Sequence, residues 1–361
     1  MACAFSNTCR AVIVFIWAAL TLLTVHVASA TNISIHVAAS ETEGQALLNS
    51  GWWKDRIPHN TSDHCKWVGI ICDYEGSITL IDLEESNIKG ELGRLNFSCF
   101  PNLQYLDLWN NSLSGRIPSQ IGSLSNLKYL GLAQNNLTGT VPKEIGSLRN
   151  LEILCLNSNN LHGIIPKEIG SLRFLEVLEL SSNNLNGTIP KEIGSLRNLV
   201  DLDLNSNNLN GTIPKEIGSL RNLVMLDLSS NNLNGIIPKE IGSLRFLEVL
   251  ELSSNNLNGT IPKEIGSLRN LVGLDLSSNN LNGIIPKEIG SSRIIEALFL
   301  DSNKLSGVLS QEIGNLKSLI SLSVTNNTLG GPIPSTLFRL MNLKYLSLGF
   351  NQFNSTIPRE I

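Results

Sequence analysis

Five carboxylates recur at a fixed interval in the middle of this chain, and their spacing determines what chemistry they could do. They lie 24 residues apart, each between two leucines: Glu179, Asp203, Asp227, Glu251 and Asp275. On neighbouring strands, about 4.8 Å apart, two unit charges repel by roughly 0.9 kcal/mol even at the dielectric constant of water. Two interpretations stay open: the column binds a cationic partner such as a basic peptide, or its flexible side chains spread into solvent.

Aromatic residues are the other candidates for ligand contact, because aromatics are preferred anchors at binding interfaces. The central repeats are nearly identical and would offer a ligand many equivalent registers. Specificity is therefore predicted near the two ends of the repeat array. The candidates there are, early, Tyr105, Trp109 and Tyr129 and, late, Phe299, Tyr345 and Phe350.

The sequence contains no motif that would bring catalytic side chains together. The histidines after the N-terminal apolar segment are scattered, and no phosphate-binding glycine loop, GxSxG segment or HxxxH pair is present. Lysine–glutamate pairs such as Lys191-Glu192 recur because the repeat recurs. We predict no enzyme activity, no kinase domain in this chain, no metal site and no cofactor. The net charge of −4 gives no basic footprint for nucleic acid.

The elements that must position these residues are copies of one segment. From Leu103 the chain repeats every 24 residues as LxxLxLxxNxLxGxIPxxIGxLxx, a looser copy begins at Ile78, and the copy at Leu343 is incomplete, which makes about twelve repeats over 78–361. The LxL segment alternates with period two, as in a short strand with leucines inward. One such coil cannot bury its apolar face alone, so the coils must stack into a parallel-sheet solenoid.

An asparagine at the ninth position of every copy from Leu103 onward supports this register. Its short side chain carries both a donor and an acceptor, so it can satisfy backbone groups buried at a bend. Ser86 holds the position in the first copy, so the asparagine ladder is predicted to begin imperfectly.

The N-terminal segment has the pattern of a cleaved secretory signal over 1–30. Ala11–Val27 is apolar, follows Arg10 and ends in a small-residue site; a membrane anchor is the alternative. No later segment has 18 consecutive apolar residues, so none is predicted to span a membrane. Residues 31–77 are predicted to cap the solenoid, with a capping box at Ser40–Glu43 that begins a helix.

The cysteines and sequons fit an oxidising, secretory route. Cys65 and Cys72, seven residues apart, most simply close a disulfide, and a zinc site with His59 or His64 is the alternative. Cys99 is predicted to be a buried free thiol, and Cys155 to be exposed on the concave face. N-glycosylation is predicted, apart from the sequon at Asn32 beside the cleavage site, at Asn60, Asn96, Asn110, Asn136, Asn186, Asn210, Asn258, Asn326 and Asn354.

Over roughly residues 40–361 the chain resembles the plant-type leucine-rich repeat family, whose unit carries the LxGxIP segment seen here as LSGRIP, LTGTVP and LNGTIP. Trp67 and Gly69 match that family's CxWxGxxC cap motif. The resemblance implies an α/β fold, a right-handed curved superhelix. Its strands lie on the concave face, short 3₁₀ turns lie outside, a second sheet follows one flank, and a small helical disulfide-bonded cap closes the N-terminal end.

The resemblance also implies a function. The chain is similar to the extracellular part of leucine-rich repeat receptor-like kinases, which implies a peptide or protein ligand on the concave face, a co-receptor on a lateral face, and a place at the cell surface. The alternative is a free secreted binder, similar to plant inhibitors of pathogen pectin-degrading enzymes. Because the chain stops inside a repeat and lacks their second cysteine-bearing cap, an incomplete ectodomain is expected.

Overall fold

Two sheets, parallel along the repeats, run side by side through the described part of the repeat array. The computed structural model describes residues 43–53 and 63–354. The predicted signal, Asn32, Asn60 and Ser40 lie outside these residues. Residues 43–50 form a helix, and within the described ranges no helix is both long and apolar enough to cross a bilayer.

The strands are short, mostly three to five residues, because each coil has only 24 residues in which to turn fully. In chain order they are β1 (Ile70–Cys72), β2 (Ile78–Asp82), β3 (Lys89–Glu91), β4 (Tyr105–Asp107), β5 (Ser112–Arg116), β6 (Tyr129–Gly131), β7 (Asn136–Gly139), β8 (Ile153–Cys155), β9 (Asn160–Gly163), β10 (Val177–Glu179), β11 (Asn184–Thr188), β12 (Asp201–Asp203), β13 (Asn208–Thr212), β14 (Met225–Asp227), β15 (Asn232–Gly235), β16 (Val249–Glu251), β17 (Asn256–Thr260), β18 (Gly273–Asp275), β19 (Asn280–Gly283), β20 (Ala297–Phe299), β21 (Lys304–Val308), β22 (Ser321–Ser323), β23 (Thr328–Gly331), β24 (Tyr345–Ser347) and β25 (Gln352–Phe353).

The first sheet has the order β1-β2-β4-β6 and continues through the even-numbered strands to β24. Strand β1 pairs antiparallel with β2, and each later pair is parallel. The second sheet holds the odd-numbered strands from β3 to β25. Equivalent residues of successive coils pair directly in the first sheet, so each outward position of the repeat forms a column.

Each coil returns through a 3₁₀ turn. In most coils a proline immediately precedes the turn with extended backbone, where its missing N–H costs no hydrogen bond. The 3₁₀ segments are His64–Lys66, Leu92–Arg94, Phe97–Cys99, Ser119–Ser123, Lys143–Ser147, Lys167–Ser171, Lys191–Ser195, Lys215–Ser219, Lys239–Ser243, Lys263–Ser267, Lys287–Ser291, Gln311–Asn315 and Ser335–Arg339.

The repeat leucines and isoleucines form one continuous core that is buried as far as Leu340, as the periodicity predicts. In the last strand of the first sheet, Leu346 is 38% exposed. Close stacking of the 3₁₀ turns from Ser119–Ser123 to Gln311–Asn315 depends on the glycine that each of these turns carries. A Cβ on Gly218 would lie 2.4 Å from the carbonyl oxygen of Glu240 in the next coil, a separation that real Cβ atoms do not adopt. Glycine is therefore required by coil spacing, beyond its turn propensity.

The ninth-position asparagine ladder is confirmed in atomic detail. The Asn207 side-chain amide donates to the carbonyl oxygens of Leu180 (3.0 Å), Leu204 (3.2 Å) and Asn205 (3.1 Å). Its oxygen accepts from the backbone N–H of Leu185 at 2.9 Å. The ladder begins at Asn111, because Ser86 holds the ninth position in the first copy. The side-chain oxygen of Asn111 accepts hydrogen bonds from the backbone N–H groups of Ser86 and Ile88 in that copy.

The cap closes the N-terminal end of the core. Cys65 and Cys72 form the predicted disulfide. His64 lies beside them, but both sulfurs are bonded to each other and neither is a thiolate ligand. The buried Glu43 carboxylate accepts hydrogen bonds from the Ser77 hydroxyl (2.8 Å) and the Ile78 N–H (2.9 Å). Glu43 thus joins the cap helix to the start of β2, a role that the capping-box interpretation missed.

Candidate ligand-binding face

The outward positions of the first sheet are the third, fifth and seventh residues of each coil. They flank the two inward leucines, so they project from the face opposite the core. The predicted ligand-contacting residues, except Phe350, occupy these positions. They fall into an aromatic group on the early strands, an acidic group on the central strands, and a second aromatic group on the late strands.

The early group is built around a stacked pair of tyrosines. The rings of Tyr105 and Tyr129 have centroids 4.3 Å apart and planes inclined by 10°. The Tyr105 hydroxyl donates to the Asp107 carboxylate at 3.1 Å, and the Trp109 N–H donates to the other oxygen at 2.9 Å. A Cβ on Gly131 would lie within 3 Å of both the Tyr129 ring and Asp107, so only glycine admits this arrangement.

Burial sets the protonation of this group. It raises the pKa of Asp107 to about 6, partly offset by hydrogen bonds from the Trp109 backbone and the two tyrosines. Burial, followed by the charge of Asp107, also raises the pKa of the Tyr105 and Tyr129 hydroxyls. Both tyrosines therefore remain protonated donors. Asp107 was not among the predicted contact residues, although it holds the same fifth position of its coil as the acidic column.

Beside the tyrosines lies an apolar cluster in which Cys155 is found. It consists of Tyr129, Ala133, Ile153, Cys155 and Val177, with Tyr105 and Trp109 packed against it. The prediction that Cys155 is exposed is wrong, because only 2% of it is accessible. The outward position of a strand does not guarantee exposure where apolar neighbours on adjacent coils pack together. Cys99 is a free thiol as predicted, although it is only half-buried.

The central acidic residues form the predicted column. Parallel pairing places Glu179 beside Asp203, Asp203 beside Asp227, Asp227 beside Glu251, and Glu251 beside Asp275. Glu179 and Asp227 are buried, and the other three are half-buried.

The carboxylates do not simply spread into solvent. The Asn205 side-chain amide donates to Asp203 at 2.8 Å and to Asp227 at 3.0 Å, and so bridges two members of the column. The Ser229 hydroxyl donates to Asp227 at 2.6 Å. These seventh-position partners were missed by sequence reasoning. The sequence did contain the information needed to find them, because a polar residue two positions after an aspartate lies on the same face of the strand.

The column carries an electrostatic cost. Burial, and then the neighbouring Asp227, raises the pKa of Asp203 to about 6. Burial, and then Asp227 and Asp275, raises the pKa of Glu251 to about 7. The pKa of Asp227 is also raised by burial, against the hydrogen bonds it accepts. Desolvation and mutual repulsion thus both oppose ionisation.

The late aromatics do not form one cluster with the early ones. Phe299 ends β20 and is half-buried, and Tyr345 begins β24 and is exposed. Phe350 is 85% exposed and lies in the bend after β24 with a φ of 53°. It therefore lies beside the sheet face, outside the strand positions that form columns.

The eight described sequon asparagines are all exposed, as glycosylation requires: Asn96, Asn110, Asn136, Asn186, Asn210, Asn258, Asn326 and Asn354. Asn186, Asn210 and Asn258 belong to β11, β13 and β17 of the second sheet. Their glycosylation stays a prediction.

The repeats match known proteins. A family model described as "Leucine rich repeat" matches residues 101–161, 149–209, 197–257 and 245–305, and a second model with that description matches residues 342–361. Together these ranges cover more than half of the chain. A probable leucine-rich repeat receptor-like protein kinase of Arabidopsis thaliana is 40% identical over 102 residues, which are 25% of this chain and 9% of that protein.

Solved receptor ectodomains share the fold. That of the Arabidopsis thaliana receptor kinase GASSHO1/SCHENGEN3, in complex with CASPARIAN STRIP INTEGRITY FACTOR 2, matches with a TM-score of 0.81 and 33% identity, over 89% of this chain and 42% of that one. The Arabidopsis receptor kinase HAESA, in complex with the peptide hormone IDA and the co-receptor SERK1, matches with a TM-score of 0.68 and 33% identity, over 87% and 58%. The chain thus spans well under two thirds of each of these proteins.

Proposed function

Because the chain belongs to the leucine-rich repeat family, we propose that it is the extracellular ligand-recognition module of a plant receptor-like kinase. The protein is secreted: residues 1–30 direct its export, residues 31–77 cap the solenoid, and residues 78–361 form the repeats that bind the ligand. The ligand is an extended peptide, bound along the outward columns of the first sheet. A co-receptor docks on a lateral face of the solenoid; the likeness to HAESA, whose structure is a complex with a co-receptor, supports a co-receptor for this chain.

One observation carries the proposal: the outward columns differ in chemistry along the sheet. Aromatic rings and Asp107 occupy its early strands, buried and half-buried carboxylates occupy its centre, and Phe299 and Tyr345 occupy its late strands. An extended peptide laid along these columns would meet an aromatic anchor at each end and acidic partners between them. This pattern favours a peptide with basic residues in its centre and apolar residues near its ends.

The test maps where selected peptides bind. Peptides enriched from a random display library against the whole secreted chain are measured on the wild type and on the Trp109→Ala/Phe299→Ala variant. We expect affinity to fall at least tenfold, because truncating an interface anchor typically removes more than about 1 kcal/mol. The control is Lys191→Ala/Lys287→Ala, which changes two exposed residues on the 3₁₀ turns. Peptides that bind the aromatic variant as tightly as the wild type would refute the proposed surface.

A further inference from the structure

A row of exposed cations follows one edge of the solenoid, away from the outward columns of the first sheet. At the twenty-third position of successive coils stand Arg149, Arg173, Arg197, Arg221, Arg245, Arg269, Arg293 and Lys317, all exposed. We call these eight residues the arginine ridge. They lie just after the 3₁₀ turns, one coil apart.

The ridge is not neutralised by the protein. Among the described residues the ion pairs join His64 to Glu43, Lys66 to Asp63, and Lys128 to Glu152, and none includes a ridge residue. The other basic column of the repeat is different, since each lysine of the 3₁₀ turns is followed directly by a glutamate, as in Lys215-Glu216. A glutamate follows four of the ridge arginines three residues later, as Glu176 follows Arg173, but none of these glutamates pairs with the ridge among the described residues.

The backbone beneath the ridge is fixed by a second set of asparagines. The side-chain amide of Asn198 donates to the carbonyl oxygen of Arg173 (3.0 Å), that of Asn222 to Arg197 (3.1 Å), and that of Asn270 to Arg245 (2.9 Å). Each bond ties one coil to the preceding one at the backbone of a ridge arginine. The spacing of the backbone positions that carry the charges is therefore set before any ligand binds.

The guanidinium groups keep most of their donors available. The Arg197 Nη1 donates to the carbonyl oxygen of Ser219 in the next coil at 2.7 Å. A guanidinium has five N–H donors in a planar fork that matches a carboxylate with two parallel bonds. After one bond to the backbone, Arg197 still offers such a fork to solvent.

We propose that the arginine ridge binds a linear acidic polysaccharide, a polyuronate that carries one carboxylate on each sugar. The length of one sugar residue is close to the separation of neighbouring strands, about 4.8 Å, so the carboxylates on the side of the polymer that faces the ridge recur in step with its guanidinium groups. Phe174 and Phe246 lie next to ridge arginines and are each 54% exposed. Their rings offer apolar faces for the C–H faces of sugars. The proposal adds a second binding surface and does not use the peptide-binding columns.

The experiment measures binding of the whole secreted chain to polygalacturonate. We expect binding that weakens steeply with added salt and disappears with the fully methyl-esterified polymer, which has the same backbone without charge. The Arg197→Gln/Arg221→Gln/Arg245→Gln variant should lose about tenfold in affinity. The Lys→Gln control at Lys191, Lys215 and Lys239 removes the same charge from exposed residues and should keep wild-type affinity.

Four outcomes would overturn the proposal. They are equal binding of the esterified polymer, equal losses in the two variants, retained affinity in the arginine variant, and tighter binding to phosphatidylserine vesicles or duplex DNA than to polygalacturonate. An arginine-to-lysine version of the variant keeps the charge but not the fork. It should fall between the wild type and the glutamine variant. Peptide binding to the first sheet should be unaffected by the arginine substitutions, so the two surfaces are tested independently.

Discussion

Neutralising the centre of the acidic column should stabilise the protein at neutral pH. The change is the triple variant Asp203→Asn/Asp227→Asn/Glu251→Gln, which keeps side-chain size and removes three charges. Because the pKa of Asp203 is raised to about 6 from an ordinary value near 3.9, its ionisation costs about 3 kcal/mol at most. The raised pKa of Glu251, about 7, reflects partly the same repulsion, so the two costs are not additive.

The expected gain is smaller than that limit. Asp203 and Glu251 are half-buried and reach water, and the amide of Asn205 already bridges Asp203 and Asp227. We expect a gain of about 2 kcal/mol in unfolding free energy at pH 7.5. For a chain of this size that corresponds to a rise of roughly 3 °C in melting temperature.

The effect must depend on pH in one direction. Since the folded pKa values lie above the unfolded ones, the folded state retains protons that the unfolded state has released between about pH 4 and pH 7. Over that window the unfolding free energy of the wild type falls as pH rises. The variant lacks these titrations, so its advantage should be near zero at pH 4 and complete by pH 7.5.

Melting is followed by circular dichroism at both pH values. The control, Glu216→Gln/Glu240→Gln/Glu264→Gln, changes net charge equally in the same three coils but on the opposite side of the repeat. A variant that is destabilised at pH 7.5, or equally stabilised at both pH values, would refute the reasoning. Binding of a lysine-rich decapeptide then separates the two interpretations of the column: a ligand site requires a loss of at least tenfold, and tolerated repulsion predicts no change.

Two further predictions concern the coil interfaces. Asn207→Ala should lower the free energy of unfolding by about 2–4 kcal/mol, because it leaves buried backbone groups such as the Leu185 N–H unpaired. Alanine at the exposed Asn208 should lower it by less than about 0.5 kcal/mol. Urea unfolding measures both values, and equal losses would contradict the ladder's role. Gly218→Ala should cost about 1–3 kcal/mol by overpacking against Glu240, whereas Gly273→Ala, which meets nothing within 4 Å, should be near neutral in the same assay.

The periodic part of the fold could be predicted from sequence because each coil repeats the same local solution. The inward leucines and the ninth-position asparagines follow from spacing, and the Cys65–Cys72 disulfide follows from the spacing of its cysteines in a chain predicted to be secreted. The Glu43 carboxylate could not be assigned in this way, because its partners Ser77 and Ile78 lie 34 and 35 residues away. The capping-box pattern considers only contacts within one turn of helix. The burial of Cys155 was missed for the same reason, since its neighbours come from other coils.

Two identical copies show why local sequence cannot determine the outward positions. Residues 175–198 and 247–270 have the same sequence, yet their fifth-position glutamates have different neighbours. Glu179 pairs with Cys155 on one side and Asp203 on the other. Glu251 pairs with carboxylates on both sides, Asp227 and Asp275, and repulsion from both contributes to its raised pKa. The inward half of a repeat is therefore specified by the repeat itself, and the outward half by the order of the copies. A binding site on this solenoid must therefore be predicted from the residues that share a column in successive coils, and not from any single repeat.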